Sequence, residues 1–447
     1  MNLPAINNAF QNIKNTCQDK LKKIYPKGIP EDIQSRYVKE LLFLEHSDLI
    51  DDFEIFRRLS DETKKNSTIM NVRGTLAGSI LYFLLGNNNF NPLHPHYYCP
   101  ECGYYEVVDT NLFGIDLPQK KCPHCNADIL ADGYNLPIES VWGNNGEKLL
   151  SFEYNVNSEF LPFARRVLQS AYPNNEIAPW GVFQLDPVSS VPYPDDRIIG
   201  IKLSGYAILP SGNTIQDYPD LISYLENGEA CITGGSWELE EHLLKPIKLF
   251  PLEYLDDLIQ LQRATGIYAN DLGTKELREI TWSNIYNTAI PNSNSRMLFH
   301  EFKPKTYKDM VAFDSSSHNS FSWQEGNYNY IDLGKYYKMI STDSFKKYPC
   351  FTREDFFDHM IKLGTERTLA FDASEKIRKG HANSCGKYQQ QFFDLPIPDE
   401  IKEIAKNYVY VFPRAHCIEY ILIYARLAYY AKADSRAFSK IIFKKKS

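Results

Sequence analysis

An α+β fold is predicted by three features of this 447-residue sequence. Helical and strand-like segments mix over the first 260 residues, helical periodicity dominates afterwards, and a four-cysteine module sits between the two kinds of element. Hydrophobic residues make up 43% and charged residues 23%, with no long low-complexity tract, so the chain is globular with core enough for two to four domains.

In chain order, a helical pattern runs from Asn8 to Tyr25 through Phe10, Ile13, Leu21 and Ile24, and ends near Pro26–Gly28. Further helices are expected over Glu31–Phe43 and from Asp51 to Ser60 or beyond. Residues 71–86 read as a Gly-bearing turn opening an apolar helix. The cysteine module occupies about 96–132. From 133 to 260, runs such as IIGIKL, YAILP and ACITGG, bounded by Pro, Gly and Asp turns, predict strands. Helices follow over 252–264, 296–313, 353–378 and 399–431. No internal repeat is present.

Charge is unevenly spread. Residues 361–447 carry 16 Lys and Arg against 9 Asp and Glu, a balance of +7, whereas residues 1–360 stand at −14. Such a C-terminal region either contacts phosphate backbones or presents solvated helix faces and a basic KKKS tail. The start of the chain is polar and the longest apolar run, near Ile80–Leu85, is too short to span a bilayer. A cytoplasmic protein without membrane partners is the expectation.

Four of the nine cysteines form CPEC and CPHC knuckles, Cys99/Cys102 and Cys122/Cys125, nineteen residues apart. This spacing brings four thiolates to one tetrahedral site and predicts a structural Zn²⁺. Unrelated buried thiols or disulfides are the other reading. The remaining five, Cys17, Cys231, Cys350, Cys385 and Cys417, are scattered singly, as for reduced thiols.

Around the knuckles the chain reads NPLHPHYYCPECGYYE and LPQKKCPHCNADILADGYNLPIES. This resembles the zinc segment of PolC-type, C-family DNA polymerase III alpha subunits, and order and spacing match from about residue 8 to about 432. The resemblance implies a polymerase palm with a nucleotidyltransferase-like sheet, a zinc-ribbon-like insertion and a largely helical fingers-like region. It divides the chain at 1–95, 96–132, 133–260 and 261–447.

The resemblance also shows what is missing. A family GSRGS motif, which cradles nucleotide phosphates, falls on Asn71-Val72-Arg73-Gly74-Thr75, where Arg73, Gly74 and Thr75 persist. The family's PDIDLNFSGEY motif, with two metal-binding Asp, falls on residues 150–160. Its Asp positions become Ser151 and Glu153, and a third Asp, from LKLDILG, becomes Lys248. Two Mg²⁺ about 4 Å apart need converging carboxylates. One Glu, a neutral hydroxyl and an ammonium should not hold them, the ammonium adding repulsion on the order of several kcal/mol at moderate dielectric. Were the register slipped, Glu253, Asp256 or Asp257 would be the substitutes, but they read as the start of a helix.

Lys202 replaces the His of a QHPGG-type pocket motif, and His318 with Trp323 is what remains of an SGLSHGTDVW loop. Structural stretches are better kept: FKPKTY at 302–307, IRKG at 377–380, and FPRAH at 412–416 with its following helix. Lys379, Arg414, His416 and Arg426 in these stretches either touch nucleic acid or triphosphate, or cap and solvate a helix pair. The resemblance thus implies a PolC-like homologue without polymerase activity that binds DNA, nucleotide or replisome proteins, carries structural Zn²⁺ and holds no Mg²⁺. Two alternatives are a diverged, active DNA-directed DNA polymerase using Glu153, and a decayed fragment.

Overall fold

A computed structural model describes residues 6–185, 198–282, 293–318, 322–325, 328–331 and 333–442. The N-terminal helix, Ala9–Ile24, buries Ala9, Ile13, Cys17 and Leu21 at four-residue spacing and ends with Lys22 and Lys23 against its negative pole. Glu31–Glu45 begins behind Pro30 with Glu31 and Asp32 in the first turn, and Ile50–Asn66 stops at Ser67, which adopts φ 52°. The third of these helices stacks Phe56 on Tyr154 of a mixed sheet, and the first packs against the third.

Twelve strands are described: β1 (Met70–Val72), β2 (His96–Tyr98), β3 (Tyr105–Val107), β4 (Leu130–Asp132), β5 (Glu153–Val156), β6 (Ile177–Leu185), β7 (Ile198–Ile208), β8 (Ile222–Tyr224), β9 (Ala230–Thr233), β10 (Lys245–Pro251), β11 (Ser322–Glu325) and β12 (Tyr328–Ile331). Seven form the main sheet in the order β1-β5-β10-β7-β6-β9-β8. The β5–β10 and β6–β9 pairs are parallel and the others antiparallel. Tyr154, Val156, Ile247 and Leu249 turn one face of β5 and β10 into the main core, so alternation sends Glu153, Asn155, Lys248 and Phe250 to the other. A second core of Ala178, Trp180, Ala207, Leu209, Ile232 and neighbours lies under the β6–β9 end.

The cysteine segment is a separate three-stranded sheet, β3-β2-β4, with a small cluster of Tyr97, Leu117 and Ala131 beneath it. Beyond residue 260 the described chain is almost wholly helical. The helix Arg414–Ala433 is buried on most sides and packs against the Gly74–Gly78 turn, the helix Tyr307–His318 and β1.

Three expected helices are broken where local chemistry demands it. The 296–313 segment splits into Ser293–Phe302 and Tyr307–His318, because Lys303 takes φ 44° and Pro304 cannot continue the hydrogen-bond ladder. The 353–378 segment divides at Gly364, φ 85°, into Arg353–Lys362 and Arg367–Arg378. The 399–431 segment becomes Asp399–Ala405 and Arg414–Ala433, the second opening behind Pro413. The stretch read as a loop around His318 and Trp323 is instead the end of a helix, then strand β11. The KKKS tail lies outside the described residues. No described helix is long and apolar enough to cross a membrane.

Candidate functional site

Ser151, Glu153 and Lys248, the three positions the resemblance assigns to metal-binding Asp, meet where β5 pairs with β10. Parallel pairing sets Lys248 directly beside Glu153, and Ser151 lies two residues before Glu153. The Lys248 Nζ donates to Glu153 Oε1 at 3.1 Å and to Ser151 Oγ at 3.4 Å, while Ser151 Oγ donates to the same carboxylate oxygen at 2.8 Å. Burial pushes the Glu153 carboxyl up, but the Ser151 hydrogen bond, the Lys248 ammonium and, further off, Arg73 outweigh it and hold it below the usual range. Glu153 is therefore ionised at neutral pH and already has its cation. The side chains are 31% and 18% exposed for Glu153 and Lys248, so the pair is reachable but half enclosed.

The alternative carboxylates are elsewhere. Glu253 opens the helix Glu253–Thr265, and Asp256 accepts from Ser158 N and Oγ at 2.7 and 2.8 Å, fastening that helix to the end of β5. Among the described residues, the only group of three or more His, Cys, Asp or Glu with ligand atoms close enough to share a metal ion is the cysteine quartet.

Arg73, Gly74 and Thr75 lie beside this pair. The Arg73 N–H donates to Glu153 O at 2.8 Å, and its guanidinium lies 4.8 Å from the centre of the Phe250 ring. Its Nε is buried without a partner. Gly74, at φ 75°, opens the short turn Gly74–Gly78, but its N–H already donates to His416 Nδ1 at 3.2 Å. The His416 ring stacks on Phe412 and leans on Tyr420. The amide available for a phosphate oxygen is thus capped from within the protein. Lys202, exposed on β7, donates to Pro251 O at 3.3 Å.

Of the two readings left open for Arg414 and Arg426, burial speaks for internal contacts over a nucleic-acid surface. Arg414 has no exposed side-chain surface; Nη2 donates to Asp355 and Asp358, both at 2.8 Å, and Nη1 to Asn135 O at 2.5 Å. Arg426, 3% exposed, donates from Nη2 to Asn89 Oδ1 at 2.9 Å. Neither can reach a phosphate backbone. Lys379 follows the helix Arg367–Arg378 and is exposed, far along the chain from the Glu153 pair. His318 ends the helix Tyr307–His318, and its side chain lies outside the described residues.

Sequence reasoning missed the buried network around these arginines. Arg353 pairs with Glu354 and Glu375, and Lys308 with Asp355 at 3.1 Å. Glu419 accepts from Asn71 Nδ2 and from Asn89 N and Nδ2, and burial pushes its carboxyl up to about 7. The signal was present: charges inside the otherwise apolar run IEYILIYARLAYY have to find internal partners.

In the cysteine quartet all four Sγ atoms lie within 4.8 Å of one another, with Cys99–Cys125 and Cys102–Cys122 at 3.5 Å. Zn–S bonds of about 2.3 Å in a tetrahedron put sulfurs about 3.8 Å apart, so the spacing fits. Each knuckle is closed by backbone bonds, Gly103 N to Cys99 O and Asn126 N to Cys122 O, both 2.9 Å. Gly103 and Asn126 take φ 80° and 61°, the left-handed turn each knuckle requires. Cys99 and Cys122 are buried and Cys102 and Cys125 exposed. This group can hold a zinc ion.

Comparison with known proteins agrees with the resemblance. A family model described as the bacterial DNA polymerase III alpha NTPase domain matches residues 11–170. The chain is 25% identical to DNA polymerase III PolC-type of Thermotoga maritima over 96% of its own length and 34% of that protein. It is 24% identical to DNA polymerase III PolC-type of Bacillus subtilis over 96% of its length and 32% of that protein, and to that of Lactococcus lactis over 92% and 28%. The chain spans about a third of the length of the curated relatives it matches.

Proposed function

We propose that this homologue of PolC-type polymerases is a pseudo-polymerase: a palm and fingers core that binds DNA, nucleotide or replisome proteins without extending a primer. The observation that carries it is the Lys248–Glu153–Ser151 cluster, in which a tethered ammonium stands among the positions that carry metal-binding Asp in the family. The residues present do not fit a pair of Mg²⁺. One carboxylate, already neutralised at 3.1 Å, faces a hydroxyl and a fixed positive charge that would repel an incoming cation. Capping of the Gly74 amide by His416 supports the same reading.

Cys99, Cys102, Cys122 and Cys125 would hold a structural Zn²⁺. When bound, the ion would fix the two knuckles to each other and the small β3-β2-β4 sheet with them; it has no open position for chemistry. The division at 1–95, 96–132, 133–260 and 261–447 is proposed on the same resemblance.

The test is primer extension on a primed template with four dNTPs and Mg²⁺ or Mn²⁺, beside a binding assay with the same DNA. Binding without extension is the expected result. Extension that disappears in Glu153→Ala would establish instead a diverged, active polymerase. Neither extension nor binding would leave replisome proteins as the partners to examine.

A further inference from the structure

The positive balance of the C-terminal region is concentrated in one loop. From Lys376 to Phe393 the sequence holds four Lys and Arg and no Asp or Glu. This stretch leaves the helix Arg367–Arg378, turns through His381–Asn383 and enters the helix Lys387–Phe393 behind Gly386. Its backbone is pinned. Gly380, at φ 72°, lies so close to Val409 that a Cβ there would collide with the Val409 carbonyl. Asn383 Nδ2 donates to Lys406 O at 2.6 Å and Gln389 Nε2 to Ala382 O at 3.4 Å.

Three of the four cations have no anion. Arg378 pairs with Glu375 at 3.1 Å. Lys376, Lys379 and Lys387 make no side-chain hydrogen bond or ion pair among the described residues, and the last two are exposed. The carboxylates on the elements packed against the loop are engaged elsewhere. Glu375 also holds Arg353, and Asp372 accepts from Asn144 Nδ2 at 3.2 Å. On the helix Asp399–Ala405, Asp399 pairs with Lys402 at 3.8 Å, Glu403 accepts from Ser344 Oγ, and the charge of Glu400 bears on Lys347. Lys387 is moreover the first residue of its helix, the end at which peptide dipoles disfavour a cation.

An open ring stands beside these charges. Tyr388 is 60% exposed and leans on the His381 ring, their centroids 5.0 Å apart. Burial and the nearby charges of Lys379 and Lys376 hold the His381 imidazole below its usual range, so the same ring braces Tyr388 and lies within reach of both ammonium groups. Unmatched cations call for an anionic partner, and an exposed, braced aromatic face among them calls for one that carries planar rings. We infer that residues 376–388 form a single-stranded nucleic-acid surface, with Lys376, Lys379 and Lys387 taking backbone phosphates and Tyr388 stacking an unpaired base. This rests on the reading that the core binds nucleic acid, and it names the face that does so.

Fluorescence anisotropy of the full chain with a twelve-nucleotide thymidine strand, an abasic strand of the same length, a duplex and polyglutamate tests it. The thymidine strand should bind at least tenfold more tightly than the other three. Lys379→Gln with Lys387→Gln should weaken strand binding tenfold or more without lowering the melting temperature, and should flatten the salt dependence by about 1.4 in slope. Tyr388→Ala should lose tenfold, whereas Tyr388→Phe should bind as the parent does. An abasic strand, duplex or polyglutamate bound as tightly as the thymidine strand overturns the inference. Strand binding that persists in the lysine and Tyr388→Ala variants also overturns it, while leaving DNA among the partners of the core; no binding with any probe overturns it and removes DNA from those partners.

Discussion

The cysteine quartet and the head of the β5–β10 pair are both places where side chains from separated segments converge on one point, and they differ in the sign of what converges. In the first, four sulfurs stand 3.5–4.8 Å apart with only backbone closing the turns. In the second, an ammonium already donates to a carboxylate and a hydroxyl that are hydrogen-bonded to each other. A metal centre is thus legible from whether the ligand shell is self-satisfied. Thiols packed together have few favourable partners except an ion, whereas Lys248 and Glu153 satisfy each other.

The largest test of that contrast is Cys122→Ser. Purified protein should fall from about one tightly held zinc per chain to near zero, measured by elemental analysis, with a loss of order several kcal/mol in stability by circular dichroism. Equal zinc in both proteins would break the comparison on the cysteine side. Next is Arg414→Ala, which strips a buried charge from Asp355 and Asp358 and should cost about 3–5 kcal/mol in urea unfolding. A variant of undiminished stability but weakened DNA binding would instead return Arg414 to the nucleic-acid surface.

Glu419 gives a third test. Its folded carboxyl titrates near 7, above an unfolded value near 4.5, so its contribution is full below 4.5 and is lost as pH rises through 7. Glu419→Gln cannot ionise and should gain about 2–3 kcal/mol relative to the parent between pH 4.5 and pH 8, read as diverging melting temperatures. A difference constant with pH would exclude the raised carboxyl. The smallest expected effect sharpens the comparison at the β5–β10 pair. The parent should show no melting shift with 5 mM Mg²⁺ or Mn²⁺, whereas Ser151→Asp with Lys248→Asp should gain a few degrees. A shift in the parent alone would contradict the proposed absence of a Mg²⁺ site at Glu153.

Much of this was legible in the sequence, for reasons that differ by residue. The quartet is read from spacing, because a CxxC knuckle is local. Lys248 opposite Glu153 is read from order and spacing shared with a family, and the parallel register places them side by side. The breaks at Lys303–Pro304, Gly364 and Pro413 are single-residue backbone decisions, which apolar periodicity averages away. The roles of Arg414 and Arg426 stayed open between a nucleic-acid contact and an internal one, since composition records a charge but not whether it points inward. Their partners, Asp355, Asp358 and Asn89, lie 59, 56 and 337 residues away along the chain. Only the fold brings them together.

The register that sets Lys248 against Glu153 has a consequence for the history of such a chain. Replacing Lys248 alone would leave a half-buried carboxylate with a hydroxyl for company; replacing Glu153 alone would strand an ammonium beside Arg73. Losing either partner of the pair singly therefore costs stability, and changing both together avoids that cost. The pair works as a lock: a lone change at Lys248 or at Glu153 uncovers the other's charge, so the two positions are expected to change together.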